Sequence, residues 1–266
     1  MNDYNSIVTQ VIQVSPIMKI IRIKPEGWEL PEYKAGQFVP IGLYPDFPKV
    51  KDSTPDYQEF DKDKLIKRAY SIASSSQQDF IEFYITLVHS GALTPRIFNL
   101  KVGDKIWMGK KATGMFTLDQ IDEEQNVILI ATGTGVAPYM SMLRSNVLKR
   151  KGKVMVIHGA ANSWDLGYSS ELQLLASMFS NFYYHPTITE VDKEPAGWGG
   201  DVRFIEDIWK TDVRNGKFEF TPKSDNTHIF LCGNPKMVNG MVELLEQENF
   251  VEHTRKTPGQ IHIEKF

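Results

Sequence analysis

The stretch from Asn126 to Tyr139, NVILIATGTGVAPY, decides the fold. Its first half is an unbroken apolar run after Asn126, as expected of a strand buried on both faces. Its second half, from Gly133, is a glycine-rich turn that leads into a helical pattern at Pro138. A buried strand, a glycine-rich turn and a helix in that order suit a phosphate loop. Pro138 stands where a third glycine would complete GxGxxG, so the usual fingerprint is only partly met. A tight strand-to-helix turn is the plainer reading of the same residues.

Downstream, strands and helical patterns alternate. The expected order is a helix from Pro138 to Lys149, a strand from Val154 to His158, and a helix around Ser169 to Ser180. Then come a strand from Tyr183 to Ile188, a helix around Arg203 to Lys210, and a strand from His228 to Cys232. A helix from Pro235 to Asn249 and a last strand, Ile261 to Ile263, close the chain. Such alternation predicts βαβ units and a parallel sheet. Upstream, the grammar differs: short β-branched runs at Ile7–Val14, Met18–Ile23, Gln37–Leu43, Arg68–Ala73, Phe80–Val88 and Lys105–Gly109 follow one another without helices between. These predict an antiparallel barrel or sandwich. The chain is therefore expected to be two domains, 1–120 an antiparallel β-barrel and 121–266 an α/β nucleotide-binding domain. Residues 44–67 hold three prolines and many charges without a period, and read as a long exposed loop.

Composition narrows the function. At 266 residues, 41% hydrophobic and 24% charged, the chain has material for real cores. A net charge of −3 argues against nucleic-acid binding by the whole chain. The single cysteine, Cys232, forbids an intrachain disulfide and a cysteine-ligated iron–sulfur cluster, which takes about four thiolates. No metal site is expected. The opening MNDYNSIVTQ has no leader-like pattern, and no run approaches the roughly 18 apolar residues of a membrane span. A cytoplasmic monomer without membrane insertion is the expectation.

Four further motifs carry chemistry. In RAYS, Arg68 to Ser71, period 2 puts Arg68 and Tyr70 on one strand face, a forked cation beside a flat ring. In GALT, Gly91 to Thr94, Gly91 permits close backbone approach, and Thr94 reads as the N-cap of a short helix with Pro95 at its first position. CGNP, from Cys232, ends a buried strand at the edge where ligands sit in such sheets. The terminal IEKF follows an apolar run, which allows Phe266 to be docked rather than frayed.

Taken in order, GQF at Gly36, RAYS, GALT, GTGVAP, DLGY at Asp165, CGNPKM and IEKF resemble the ferredoxin–NADP reductase family, flavodoxin reductases included. The match covers nearly the whole chain. The resemblance implies an FAD-binding barrel followed by an NADP-binding α/β domain, and hydride transfer at flavin N5 coupled to a one-electron carrier, ferredoxin or flavodoxin. It assigns Arg68, Ala69, Tyr70 and Ser71 to FAD, with Tyr70 stacked on the isoalloxazine and Ser71 near N5. Gly91, Leu93 and Thr94 support the FAD diphosphate, and Gly133, Thr134 and Gly135 receive that of NADP. Cys232, Gly233 and Glu264 sit at the nicotinamide and N5, with Ser71, Cys232, Glu264 and Phe266 as the catalytic group. Phe266 stands where tyrosine is usual. Arginines expected at the 2′-phosphate are replaced by Ala161 or Asn162 and by Thr189; Arg144 is the one retained, with Lys193 or Arg203 as substitutes. NAD is thus a possible coenzyme beside NADP.

Lys62, Lys64 and Lys67 and the run Lys149–Arg150–Lys151 are candidate contacts for an acidic carrier, although solvated surface is the plainer reading of the second group. Two alternatives stay open on sequence alone. One is an NADH-preferring reductase serving an oxygenase or free flavin; the other is a non-catalytic flavin-binding partner subunit.

Overall fold

In a computed structural model, all residues except 1, 2, 31, 57, 146 and 266 are described. Six strands of the N-terminal half pair into one antiparallel sheet. They are β1 (Ser6–Ser15), β2 (Met18–Pro25), β3 (Phe38–Leu43), β4 (Ile66–Ser71), β5 (Ile81–Thr86) and β6 (Lys105–Met108), in the order β4-β3-β6-β1-β2-β5. Their inward positions are β-branched or aromatic, and Ile21, Ile23, Ile41, Phe83, Ile85 and Ile106 are almost wholly buried in one core. A short helix α1 (Thr94–Phe98) follows β5.

The C-terminal half is a five-stranded parallel sheet: β7 (Asn126–Thr132), β8 (Val154–Ala160), β9 (Phe182–Ile188), β10 (Thr227–Gly233) and β11 (Ile261–Lys265), ordered β11-β10-β7-β8-β9. Helices α2 (Ala137–Leu143), α3 (Ser169–Met178), α4 (Ile205–Ile208) and α5 (Pro235–Glu246) connect them. β7 and β10, at the centre, are buried almost along their whole length, which is why they read as continuous apolar runs. This is the antiparallel-plus-parallel fold class expected from the sequence.

By packing, the residues up to Thr117 form one compact unit together with Ala137–Ser145; Leu118–Val136 and the chain beyond Ser145 form the other. The expected helix from Pro138 to Lys149 is two pieces, α2 and a 3-10 turn at Val147–Lys149. Hydroxyls explain the break: Ser145 Oγ donates to the Ser141 carbonyl, and Ser141 Oγ donates to the Ser74 carbonyl outside the helix. The helix expected at Arg203–Lys210 runs only over Ile205–Ile208 and then widens into a π-helical turn, Trp209–Val213, that seats the fully buried Trp209. α5 stops short of Asn249, which adopts φ 66, a left-handed residue suited to ending a helix.

The loop between β3 and β4 is not merely exposed. Arg96 of α1, 3% exposed, reaches into it and donates to the Pro45 carbonyl (2.6 Å) and to Asp56 (2.7 Å). Lys49 also meets Asp56, and the Arg96 hydrogen bonds hold the Asp56 carboxyl down at about 2. Backbone bonds from Val50 to Pro95 and from Thr54 to His89 complete the attachment. The segment is therefore stapled to the GALT region by a buried arginine.

In the second unit His158 and His262 are buried and His228 is half-buried, and all three are disfavoured in the charged form. Burial depresses His158 to about 4; burial, with the neighbouring His228 and His253, depresses His262 to about 3; burial also lowers His228. An unfolded histidine titrates near 6.5, so between about pH 6.5 and 4 the unfolded chain binds more protons than the folded one. Stability is therefore full above pH 6.5 and falls with acidification through that window, by on the order of 3 kcal/mol for His158 alone. Denaturant titrations at pH 7.5, 6 and 4.5 should show the second unit's midpoint dropping steadily. A flat midpoint would mean these rings are not buried in the neutral form.

Candidate functional site

In the first unit, β4 lies at the sheet edge and pairs only with β3, with Val39 opposite Tyr70 and Ile41 opposite Arg68. Edge position leaves Arg68 and Ala69 exposed. The Arg68 guanidinium donates to the Lys67 carbonyl at 2.7 Å and has no carboxylate partner among the described residues. Tyr70 is half-buried, its ring edge-on to Phe83 at 6.3 Å, and burial pushes its phenol above the ordinary value. Ser71 ends the strand and is buried. An exposed cation beside a fixed aromatic face fits a diphosphate and a planar ring system.

The GALT turn is tight: a Cβ on Gly91 would lie 3.0 Å from the Val88 carbonyl and 3.1 Å from Thr94 Oγ1. Thr94 does not cap α1 as expected. Leu93 holds the N-cap position without a side-chain bond, and Thr94 Oγ1 folds back to accept from the Val88 N–H (3.0 Å). The hydroxyl closes the turn and leaves the helix end uncapped by side chains.

Behind β4 lies a buried polar cluster that sequence reading missed. Glu82 of β5, 1% exposed, receives Arg22 Nε at 2.7 Å and Arg144 Nη1 at 2.6 Å. Arg144 also donates to the Ala73 carbonyl (3.0 Å), and the Glu82 N–H donates to Ser74 Oγ. Tyr33 donates to the Ser74 carbonyl, and burial lifts its phenol to about 12. Arg144, expected at a 2′-phosphate, is thus engaged by a buried carboxylate within the first unit; its charge is already answered there. No local pattern marks such a pair, because its members are 62 residues apart.

In the second unit, the carboxyl ends of the parallel strands carry the other motifs. After β7, Gly133–Val136 forms a 3-10 turn with Gly133 at φ 53. The turn is fastened from two sides. His158, fully buried near the carboxyl end of β8, donates its Nε2–H to the Gly133 carbonyl at 2.9 Å, while its Nδ1 has no partner among the described residues. A carbonyl only accepts, which fixes the tautomer. Gly135 packs on the end of β10: a Cβ there would lie 2.7 Å from the Cys232 carbonyl carbon and 3.0 Å from the Gly233 nitrogen, and closer still to the Cys232 oxygen. The glycine is required by backbone contact, independent of any ligand.

Gly233, at φ 123, likewise has no room for a Cβ beside Thr132. Thr132 Oγ1 accepts from the Asn234 N–H (2.7 Å), and Asn234 Oδ1 caps α5 by accepting from the Lys236 N–H. Thr132, Asn234 and His158 are three positioning residues absent from the expected set. Thr132 ends β7, Asn234 follows β10 and His158 lies two residues before the end of β8, so nearness to the carboxyl end of a buried strand is the signal that could have found them. Cys232 and Glu264 are register partners on β10 and β11, with Sγ 4.0 Å from Oε2. Cys232 is fully buried, and burial pushes its thiol well up. Phe266 lies outside the described residues.

The places expected to read a 2′-phosphate are uncharged or acidic. Thr189 and Glu190 pair back to the carbonyls of Ala160 and Ala161, and Asn162 Nδ2 donates to the Glu190 carbonyl. The substitutes are answered by acids: Lys193 pairs with Glu190, and Arg203 with both Asp201 and Asp212. Of the basic run after α2, Arg150 is buried on the carbonyls of Ile121 and Asp122, so it is no surface contact. Lys151 pairs with Glu124.

Residues 129–243 match the family model of the oxidoreductase NAD-binding domain. The chain is 31% identical over 236 residues to a flavodoxin/ferredoxin–NADP reductase of Buchnera aphidicola, covering 88% of each chain. It is 28% identical over 211 residues to the Escherichia coli protein of that name, covering 77% of this chain and 76% of the other. The fold superposes on a ferredoxin NADP+ reductase from Neisseria gonorrhoeae, solved with bound FAD and NADP, with TM-score 0.81, 24% identity and coverage of 100% and 99%. Identity at that level over nearly the full length of the Buchnera relative means that the chain belongs to the flavodoxin/ferredoxin–NADP reductase family.

Proposed function

We propose that the chain is an FAD-dependent oxidoreductase that passes electrons between NADP(H) and a ferredoxin- or flavodoxin-type carrier. The observation that carries this reading is the glycine turn Gly133–Val136, braced by His158 and by the end of β10, at the carboxyl edge of a parallel sheet. Such an edge is where dinucleotides bind in open α/β sheets. The relatives named above, and a ferredoxin–NADP reductase of Azotobacter vinelandii at 30% identity, favour a carrier-linked enzyme over an oxygenase partner or a non-catalytic subunit.

FAD, when bound, accepts a hydride from the nicotinamide and delivers single electrons. The chain's residues bind and orient. Arg68 meets the FAD diphosphate, Tyr70 supplies a stacking face, and Ser71, with Gly91, Leu93 and Thr94, shapes the surrounding backbone. Gly133, Thr134 and Gly135 receive the coenzyme diphosphate. Cys232 and Gly233, at the end of β10, would contact the nicotinamide, and Glu264 presents a carboxylate beside Cys232. The apolar strand ends keep water away from the thiol. Exposed Lys62, Lys64 and Lys67 suit an acidic carrier. The enzyme is read as a cytoplasmic monomer; among the described residues no helix is long and apolar enough to cross a membrane.

Anaerobic mixing of the purified protein with NADPH, and separately with NADH, tests the reading: the visible flavin band should bleach on a turnover timescale. A retained flavin that neither coenzyme bleaches would reject it. In the same preparation, Arg68→Ala should weaken FAD retention by roughly 10–100-fold, the loss of a charge-assisted bond of about 1.5–3 kcal/mol. Flavin content per mole of protein after dialysis reads this directly; equal content in variant and wild type removes Arg68 from the site.

A further inference from the structure

Beyond the arginines that are missing, the end of β8 holds a feature of the opposite sign. Glu194 reaches from the segment after β9 to the residues after β8, where Ser163 N–H donates to its Oε1 at 2.7 Å and Ser163 Oγ donates to its Oε2 at 2.6 Å. Both carboxylate oxygens are held, one by each donor, and the group is half-buried rather than swinging in solvent. Around it stand Glu190 and Asp192 against the single cation Lys193, which is already paired with Glu190. Arg203, the next cation along this edge, is answered by two carboxylates.

β8 is the strand next to β7, which carries the glycine turn. In open α/β dinucleotide folds an acid near the end of the strand beside the glycine turn accepts from the 2′-hydroxyl of the adenosine ribose, whereas a 2′-phosphate calls for an arginine there. Glu194 itself follows β9 and is brought to the end of β8 by its two bonds from Ser163. We infer that Glu194, locked by Ser163, is a specificity-determining residue for the adenosine end of the coenzyme. Its charge opposes a 2′-phosphate and leaves a free 2′-hydroxyl unopposed, so the chain favours the phosphorylated over the unphosphorylated dinucleotide less than an uncharged residue at that place would allow. This rests on the proposed dinucleotide-binding role of the β7 turn. The use of NADP(H) stands; Glu194 sets how much the extra phosphate contributes.

Calorimetric titration with 2′-phospho-AMP and with AMP isolates this end of the coenzyme without depending on flavin turnover. Glu194→Gln keeps the side-chain shape and one acceptor for Ser163 while removing the charge. It should bind 2′-phospho-AMP about tenfold tighter, as relief of one close like-charge contact predicts, with AMP unchanged within about twofold. Glu194→Lys should extend the gain, and the KM for NADPH should fall in both variants while kcat with NADH holds. Equal changes for the two nucleotides, or none for either, would overturn the inference and leave the reductase reading intact. Wild-type protein that binds neither nucleotide and shows no bleaching by either coenzyme would overturn both.

Discussion

Glu82→Ala is expected to destabilise the first unit by about 3–5 kcal/mol, the cost typical of removing one partner from a buried ion pair. Glu82 is 1% exposed and serves two guanidinium groups, Arg22 and Arg144, the latter 17% exposed. Taking the carboxylate away removes the buried counter-charge of both guanidinium groups, one of them largely shielded from water. The Glu82 N–H bond to Ser74 Oγ is a backbone bond and stays, but Arg144, which also donates to the Ala73 carbonyl two residues past Ser71, loses the carboxylate that fixes its guanidinium. Loss of stability should therefore come with weaker flavin retention, since the loosened Arg144 holds the backbone at Ala73, next but one to Ser71. Urea unfolding followed by flavin fluorescence would measure both at once. Glu82→Gln should recover part of the loss, because an amide oxygen still accepts one guanidinium hydrogen bond. A midpoint for Glu82→Ala within about 0.5 kcal/mol of wild type, the range of ordinary surface changes, would show that the pair is not buried as described.

Gly135→Ala should abolish tight coenzyme binding while leaving the barrel unit intact. The added methyl carbon would sit 2.7 Å from the Cys232 carbonyl carbon and 3.0 Å from the Gly233 nitrogen, and both are backbone atoms that no side-chain rotation can move aside. The collision pushes the turn off the end of β10, where Gly233 is itself wedged against Thr132. Displacement of about 1 Å in a positioning element can cost on the order of 100-fold in rate. We expect kcat/KM for NADPH to fall by about that factor, with flavin content unchanged. His158→Ala, which removes the brace on the Gly133 carbonyl, should move in the same direction by a smaller amount. Full activity in Gly135→Ala would mean that the turn is not where the coenzyme diphosphate binds.

What could be read along the chain was periodic or local. The unbroken run at Asn126–Ala131 revealed a doubly buried strand, because burial on both faces leaves no place for a polar alternation. The short β-branched runs before residue 115 revealed antiparallel pairing, and the ordered motifs RAYS, GALT, GTGVAP and CGNP revealed the family. The glycine-rich turn from Gly133 was likewise announced by residue type, and Gly133 indeed stands at positive φ. What the sequence left open were the fates of single charged and polar side chains, and these only the tertiary structure decided. Arg144 turned to Glu82 and Arg96 to Asp56, while Thr94 turned back to Val88 rather than capping α1. His158 found the Gly133 carbonyl, and Glu194 found Ser163. A long polar side chain takes whichever partner folding brings within about 3 Å. That partner lies 40, 62 or 31 residues away for Arg96, Arg144 and Glu194, beyond the reach of any local period. Burial patterns recur every two or three to four residues and so are written in the chain. Pairings of charges depend on which strands become neighbours, and exist only once the sheets are assembled.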